Sequence, residues 1–278
     1  MRTVALIGDP VAHSVSPSMQ RAAFRVAGLD LDYVAVRVRP EDLAAELPSL
    51  VETHAGLNVT RPLKEAVIPL LDEVAPEARD AGSVNTIRVR RGRTTGRSTD
   101  GAGFMAALRR AGAPVARRAV VLGTGGGARA VTATLTGAGT SVTMVGRNER
   151  AGPGAAASAS AAFLSWDPAS LARAVDDADL LVNATPVGQV PDSDGCPVPP
   201  DVRLHPGLTV FDLVYRPRVT ELLRRAEAAG CRTVEGIDML IEQGARSFEI
   251  WTGIPAPIDD MRTAALAALD VPVREEAV

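Results

Sequence analysis

A chain of 278 residues, 46% of them hydrophobic, can bury a substantial core, and its length favours two modest domains over one. A formal net charge of −3, with Lys and Arg scattered among acids, supplies no field that would hold a nucleic-acid backbone, so no nucleic-acid partner is expected. Cys196 and Cys231 stand in no metal-ligand spacing and the three histidines form no His-x-x-x-His pair, so neither a disulfide scaffold nor a metal site is expected.

The opening run MRTVALIGDP is too soon interrupted for a secretory core or a membrane span, which predicts a cytoplasmic chain with no membrane partner. Short β-branched runs then alternate with helical patterns: TVALI and PSMQRAAFRVAGL, YVAVRV and PEDLAAELPSL, GLNVT and PLKEAVIPLLDEV. That alternation predicts an α/β layer with parallel strands. Further on, VNTIRV and TTGRST flank Arg91-Gly92-Arg93, a short turn that suits a hairpin, so an antiparallel edge is expected on this first domain.

A helix over residues 101–111 leads into RRAVVLGTGGGARAVTATLTGAG and SVTMVGR: a strand, a Gly-rich turn, a helix ended by Gly and another strand. The glycines at 101 and 103 make that junction a candidate hinge for domain closure. The low-complexity stretch GPGAAASASAA reads as a surface loop or a poorly ordered helix, while DLLVNATP, LTVFDLVY and CRTV read as later strands of the second sheet. IDMLIEQGARSFEIWTG and PIDDMRTAALAAL are helical by periodicity and are expected to return to the first domain. The predicted fold is therefore α/β with two domains: residues 1–103 and 237–278 form the first, and residues 104–236 form a second, Rossmann-like one.

Gly123, Gly125 and Ala128 fill the G-x-G-x-x-G/A fingerprint directly after an apolar strand and before a helix. Glycine lets the backbone approach a pyrophosphate, and the free N–H groups of the helix N-terminus favour its charge. An NAD site usually ends its second strand in a carboxylate for the ribose, but SVTMV runs into Gly146 and Arg147. A cation there suits the 2′-phosphate of NADP, with Arg147, Arg150 and Arg129 as candidate guanidinium partners.

NVTRPLK places Lys64 just inside a helix at the C-terminal end of a strand, where α/β sites lie, and STDGAGF places Asp100 at a second strand-to-helix junction. A lysine and a carboxylate brought together could move a proton while a ketone becomes an alcohol.

Taken in order, these motifs resemble the shikimate dehydrogenase family across nearly the whole chain. GDPVAHSVSP is similar to the family's opening motif, which implies that Ser14 and Ser16 bind the substrate carboxylate. NVTRPLK resembles the Asn-Val-Thr-x-Pro-x-Lys signature, giving Lys64 the catalytic role and setting Thr60 against the substrate; AGSVNTI supplies Asn85 for a ring hydroxyl. STDGAGF resembles Asn-Thr-Asp-x-x-Gly with Ser98 in place of the asparagine, and makes Asp100 the partner that orients Lys64. FDLVYRPRVTELLRRAEAAG implies Tyr215 near the substrate carboxylate, and MLIEQGARSFEIWTG implies Gln243 at a substrate hydroxyl. At Gln20 and Arg21 the family commonly has His-Asn.

GTGGGARA and NATPVG resemble the family's cofactor elements, and the resemblance assigns Gly123, Gly125, Gly126, Gly127, Ala128, Arg147, Arg150, Asn183, Thr185, Val214 and Gly236 to NADP. The usual Asn-Arg-Thr after the second strand is Gly146, Arg147 and Asn148 here. The implied activity is NADPH-dependent, reversible reduction of 3-dehydroshikimate to shikimate, in a monomer or homodimer whose partners are small molecules. The rivals are a quinate/shikimate dehydrogenase using NAD, disfavoured by the lack of an acid at position 146, and a silent NADP-binding sensor, disfavoured by retention of Lys64 and Asp100.

Overall fold

The computed structural model describes residues 2–270. The chain forms two compact units, the first comprising residues 2–76, 84–99 and 243–270 and the second residues 77–83 and 100–242. The divisions fall at 99/100 and 242/243, where the sequence suggested 103/104 and 236/237; residues 271–278 of the expected first domain lie outside the described residues.

The first unit opens with β1 (Arg2–Gly8), α1 (Ser16–Val26), β2 (Leu31–Arg37), α2 (Leu43–Thr53), β3 (His54–Val59) and α3 (Leu63–Ala66). β4 (Glu73–Val74) comes next, and β5 (Thr86–Arg90) and β6 (Arg93–Arg97) complete the sheet, while α4 (Pro76–Ala81), between β4 and β5 in the chain, belongs from residue 77 on to the second unit. The six strands lie in the order β2-β1-β3-β5-β6-β4. β1 pairs parallel with β2 and β3, whereas β5 and β6 are antiparallel additions, the expected hairpin turning at Arg90↔Arg93. In β1 every residue from Val4 to Gly8 is buried, as expected for a strand covered on both faces.

PLKEAVIPLLDEV does not make one helix. Pro69 removes an N–H donor and restricts the residue before it, so α3 stops at Ala66, a 3₁₀ turn covers Ile68–Leu70, and the chain straightens into β4 beside β6.

The second unit contains α5 (Asp100–Arg110), β7 (Arg118–Leu122), α6 (Gly126–Gly137), β8 (Ser141–Gly146), α7 (Gly152–Ser158) and β9 (Ala162–Ser165). It continues with α8 (Pro168–Asp176), β10 (Leu180–Asn183), β11 (Thr209–Asp212), α9 (Glu221–Ala228), β12 (Arg232–Val234) and the start of α10 (Gly236–Thr252). Every strand pair is parallel, in the order β12-β11-β10-β7-β8-β9. This is the doubly wound dinucleotide-binding order, with the reversal between β7 and β10.

GPGAAASASAA proves to be ordered. Pro153 suits the first turn of a helix and alanine propagates it, giving α7; Phe163 packs over Gly152 as the chain enters β9 beside β8. The glycines at 101 and 103 lie inside the regular helix α5 rather than in a bend. A Cβ on Gly101 would overlap Thr134 Oγ1 of α6, so close helix packing accounts for that glycine. Phe104 of α5 stacks on Phe211 of β11 at 4.8 Å between centroids, anchoring the helix on the second sheet.

The C-terminal helices return as expected: α11 (Ile258–Leu269) packs on α1 through buried Met261 and Ala265, and Phe248 of α10 stacks on Phe24.

Candidate active site

In the first unit Ser14, Ser16, Thr60 and Lys64 follow the C-terminal ends of the neighbouring strands β1 and β3, whereas Asn85 stands just before β5 and Gln243 lies in α10. Ile7 and Val59 are register partners, so the segment carrying Ser14 and Ser16 and the segment carrying Thr60 and Lys64 start side by side. Backbone bonds tie the two: Thr60 N–H donates to Ile7 O at 2.9 Å and Asp9 N–H to Arg61 O at 3.2 Å. Ser16 N–H donates to Ser14 Oγ at 3.2 Å, fixing the spacing of the two serines. Lys64 sits half-buried in α3, its carbonyl accepting from Val84 N–H at 2.8 Å while Leu63 anchors the helix in the core.

Asn85 and Gln243 are joined directly. The Asn85 amide donates to Thr99 Oγ1 at 2.8 Å and to Gln243 Oε1 at 3.1 Å, and its oxygen accepts from Thr99 N–H at 2.8 Å and from Thr86 Oγ1 at 3.1 Å. Beneath them Asn58 donates to Asn85 O, Thr86 Oγ1 and Ser247 Oγ, and accepts from the Tyr33 hydroxyl at 2.7 Å. Burial pushes the Tyr33 phenol far up, so it serves there as a neutral donor. These mutual bonds fix β3, β5 and α10 in one arrangement, since buried polar groups hold a structure rigidly once each has its partners.

The remaining predicted residues belong to the second unit. Asp100 is the first residue of α5, directly after Thr99 in the chain. The nucleotide turn follows β7. Gly123 adopts φ +110°, and a side chain there would face the Ala184 carbonyl at 3.1 Å. Gly125 is the N-cap of α6, makes no side-chain cap bond, and the place of its missing Cβ is empty to 4 Å, as is that of Gly127. Gly126 opens α6 and Ala128 is buried behind it. The result is an open cradle above the N–H groups of a helix start, which fits the pyrophosphate of a dinucleotide.

Arg147 and Arg150 are exposed beyond β8, in a turn shaped by Asn148, whose Oδ1 accepts from the N–H groups of Arg150 and Ala151, each at 3.1 Å. Arg129 donates to the Gly82 carbonyl at 3.2 Å. Asn183 ends β10, Thr185 follows it, Val214 lies beyond β11 with half-buried Tyr215 next to it, and Gly236 begins α10.

Residues 6–87 match the model of the shikimate dehydrogenase substrate binding domain, and residues 236–266 that of the shikimate 5′-dehydrogenase C-terminal domain. The NADP(+) shikimate dehydrogenase of Symbiobacterium thermophilum is 45% identical over 97% of this chain and 95% of its own, and that of Methanopyrus kandleri 43% identical over 96% and 95%. The chain belongs to the shikimate dehydrogenase family. The crystal structure of shikimate 5-dehydrogenase from Thermus thermophilus, in complex with NADP(H) and shikimate, superposes with a TM-score of 0.89 at 38% identity, covering 96% of this chain and 100% of that one.

Several residues of this shikimate dehydrogenase family member escaped the sequence reading. Thr99, Thr86, Asn58 and Ser247 hold Asn85 and Gln243, and a polar residue inside an apolar strand pattern, as Asn58 is in GLNVT, was their available signal. Asp212 is the corresponding case in the second sheet. It is fully buried at the end of TVFD, and desolvation pushes its carboxyl up to about 6 against the opposing pull of bonds from Thr220, Val214 and Asn183.

Proposed function

We propose that this chain catalyses the reversible reduction of 3-dehydroshikimate to shikimate with NADPH. The observation that carries the reading is the Asn85–Thr99–Gln243 cluster, assembled from three separate segments in the same unit as Ser14, Thr60 and Lys64. A polyhydroxy acid needs such a set of directional donors and acceptors, and hydroxyl donors can hold its carboxylate without an arginine. Ser14 and Ser16 take the carboxylate, with Tyr215 assigned to the same group, Asn85 and Gln243 take ring hydroxyls, and Thr60 packs against the ring.

When bound, NADPH supplies a hydride to the ketone carbon. Lys64 stabilises the negative charge that develops on the ketone oxygen and supplies the proton that completes the alcohol, with Asp100 as its catalytic partner. The cradle at Gly123–Ala128 together with Asn183, Thr185, Val214 and Gly236 holds the dinucleotide, and Arg147 with Arg150 takes the 2′-phosphate. The cytoplasmic setting, the restriction to small-molecule partners and a monomeric or homodimeric state belong to the same proposal; among the described residues no helix is long and apolar enough to cross a membrane.

The test is NADP reduction followed by absorbance with shikimate, run beside quinate and beside NAD. Turnover with shikimate and NADP is the expected result. Preference for quinate or NAD selects the sister activity, and NADP binding without turnover on either substrate would replace catalysis with sensing.

A further inference from the structure

We propose that Asp212 and Asn183 are positioning residues for the cofactor, forming one buried brace that sets the loops after β10 and β11. The inference rests on the dinucleotide reading of the second unit and goes beyond it by assigning a role to a carboxylate that the fingerprint does not include.

Asn183 and Asp212 are register partners at the C-terminal ends of two adjacent parallel strands. Both are fully buried, as is Thr220, the N-cap of α9. Asn183 Nδ2 donates to Asp212 Oδ1 at 2.8 Å and to Val187 O at 3.2 Å, while Asn183 Oδ1 accepts from Thr185 N–H at 3.0 Å and from Thr185 Oγ1 at 2.7 Å. An asparagine side chain offers two donors and an acceptor oxygen with two lone pairs, and all four capacities are used within the protein. Asn183 thereby shapes the turn that carries Thr185.

Asp212 is the hub of the brace. Its Oδ1 also accepts from Val214 N–H at 3.0 Å, and its Oδ2 accepts from Thr220 Oγ1 at 2.7 Å. One carboxylate thus links the 184–188 turn, the 213–215 segment and the cap of α9. The start of α10 rests on the same segment, since a Cβ at Gly236 would come within 2.5 Å of Val214 O and 2.6 Å of Leu213 O. Thr185, Val214 and Gly236, all assigned to NADP, are consequently set by one buried group.

The sheet order decides which half of the cofactor is affected. The pyrophosphate cradle follows β7 and the adenosine-side arginines follow β8, so β10 and β11, beyond the reversal, face the nicotinamide half. Carboxylate-to-amide bonds of this kind exceed neutral ones in strength, and an unsatisfied buried Asn183 and Val214 N–H would let both loops relax.

The experiment compares Asp212→Ala, Asp212→Asn, Thr220→Val and Thr220→Ser in the full chain, using NADPH fluorescence for cofactor affinity and steady-state kinetics for the two Michaelis constants. Asp212→Ala is expected to raise KM for NADP and Kd for NADPH at least about tenfold while KM for shikimate moves less than about threefold. Asp212→Asn, which keeps the Oδ1 acceptor and can donate to Thr220, is expected to restore NADP affinity to within about threefold of the unaltered protein. If Asp212→Ala does not fold, Thr220→Ser, which keeps both the hydroxyl bond to Asp212 and the α9 cap, and Thr220→Val, which removes the Oδ2 donor together with the cap bond from Leu223 N–H, take its place: Thr220→Val is expected to raise the NADP constants about threefold and Thr220→Ser to leave them unchanged. Folded Asp212→Ala or Thr220→Val with unchanged NADP constants, or with both substrates weakened equally, would overturn the inference alone. Failure of the unaltered protein to bind NADPH would instead overturn the dinucleotide reading and this inference with it.

Discussion

The Asn85 side-chain amide donates to Gln243 Oε1 at 3.1 Å, joining the residue just before β5 to α10 across 158 positions of sequence. Two proposed hydroxyl ligands are thereby held at a fixed spacing before any substrate arrives, which lowers the ordering cost of binding. Gln243→Ala removes a ligand and leaves Asn85 short of an acceptor. KM for shikimate should rise at least about tenfold while KM for NADP stays within about twofold, as steady-state kinetics would register.

Lys64 is held by its helix and by the Val84–Lys64 backbone bond, so truncating its side chain should leave the fold intact. Lys64→Ala is expected to lower kcat at least about a hundredfold, the scale of lost acid–base help, with a much smaller effect on KM for shikimate. Near-normal turnover would remove Lys64 from the mechanism.

Arg147 stands exposed where β8 ends, with Gly146 in place of a ribose-binding acid. Arg147→Ala should raise KM for NADP about tenfold, one charge-assisted phosphate contact being worth roughly that, and leave NAD kinetics unchanged. A parallel loss with both cofactors would argue against a 2′-phosphate contact.

Burial raises the Asp212 carboxyl to about 6, above its ordinary 3.8. The folded state therefore binds this proton more tightly than the unfolded chain, and the resulting stability is complete below about pH 4 and lost as pH rises through about 6. Asp212→Asn does not titrate, so its melting temperature relative to the unaltered protein should improve between about pH 4 and about pH 7, by an amount corresponding to at most about 3 kcal/mol. A pH-independent difference would contradict the raised value.

Gly101 packs where α5 crosses α6, in the space a methyl group would share with Thr134. Gly101→Ala should destabilise the protein by about 1–3 kcal/mol through overpacking, despite alanine's better helix propensity. Adding Thr134→Ala should recover part of that loss in a thermal melt, because the two side chains compete for one volume.

Local chemistry made much of this legible in the sequence. The period-two and period-3.6 runs marked most strands and helices, the Arg91-Gly92 turn marked the hairpin, and the glycine fingerprint marked the cradle, because each depends on residues adjacent in the chain. The family's motifs pointed to Lys64, Asp100, Asn85 and Gln243 individually. What adjacent residues could not settle was which weak propensities tertiary pairing would override. β4 and β9 are short strands that exist because β6 and β8 offer an open edge, and the alanine-rich stretch is ordered by Phe163 packing over it.

Only the folded chain decided how the polar interior closes. Asn58 meets Ser247 across 189 positions, and Asp212 meets Asn183 across 29; no local pattern encodes either bond. A buried amide or carboxylate is tolerable only once distant segments bring its partners. The sequence alone thus determined the α/β class and the chemistry at the strand ends. The tertiary structure determined which residues hold that chemistry still, since desolvation and hydrogen-bond satisfaction are properties of the packed chain.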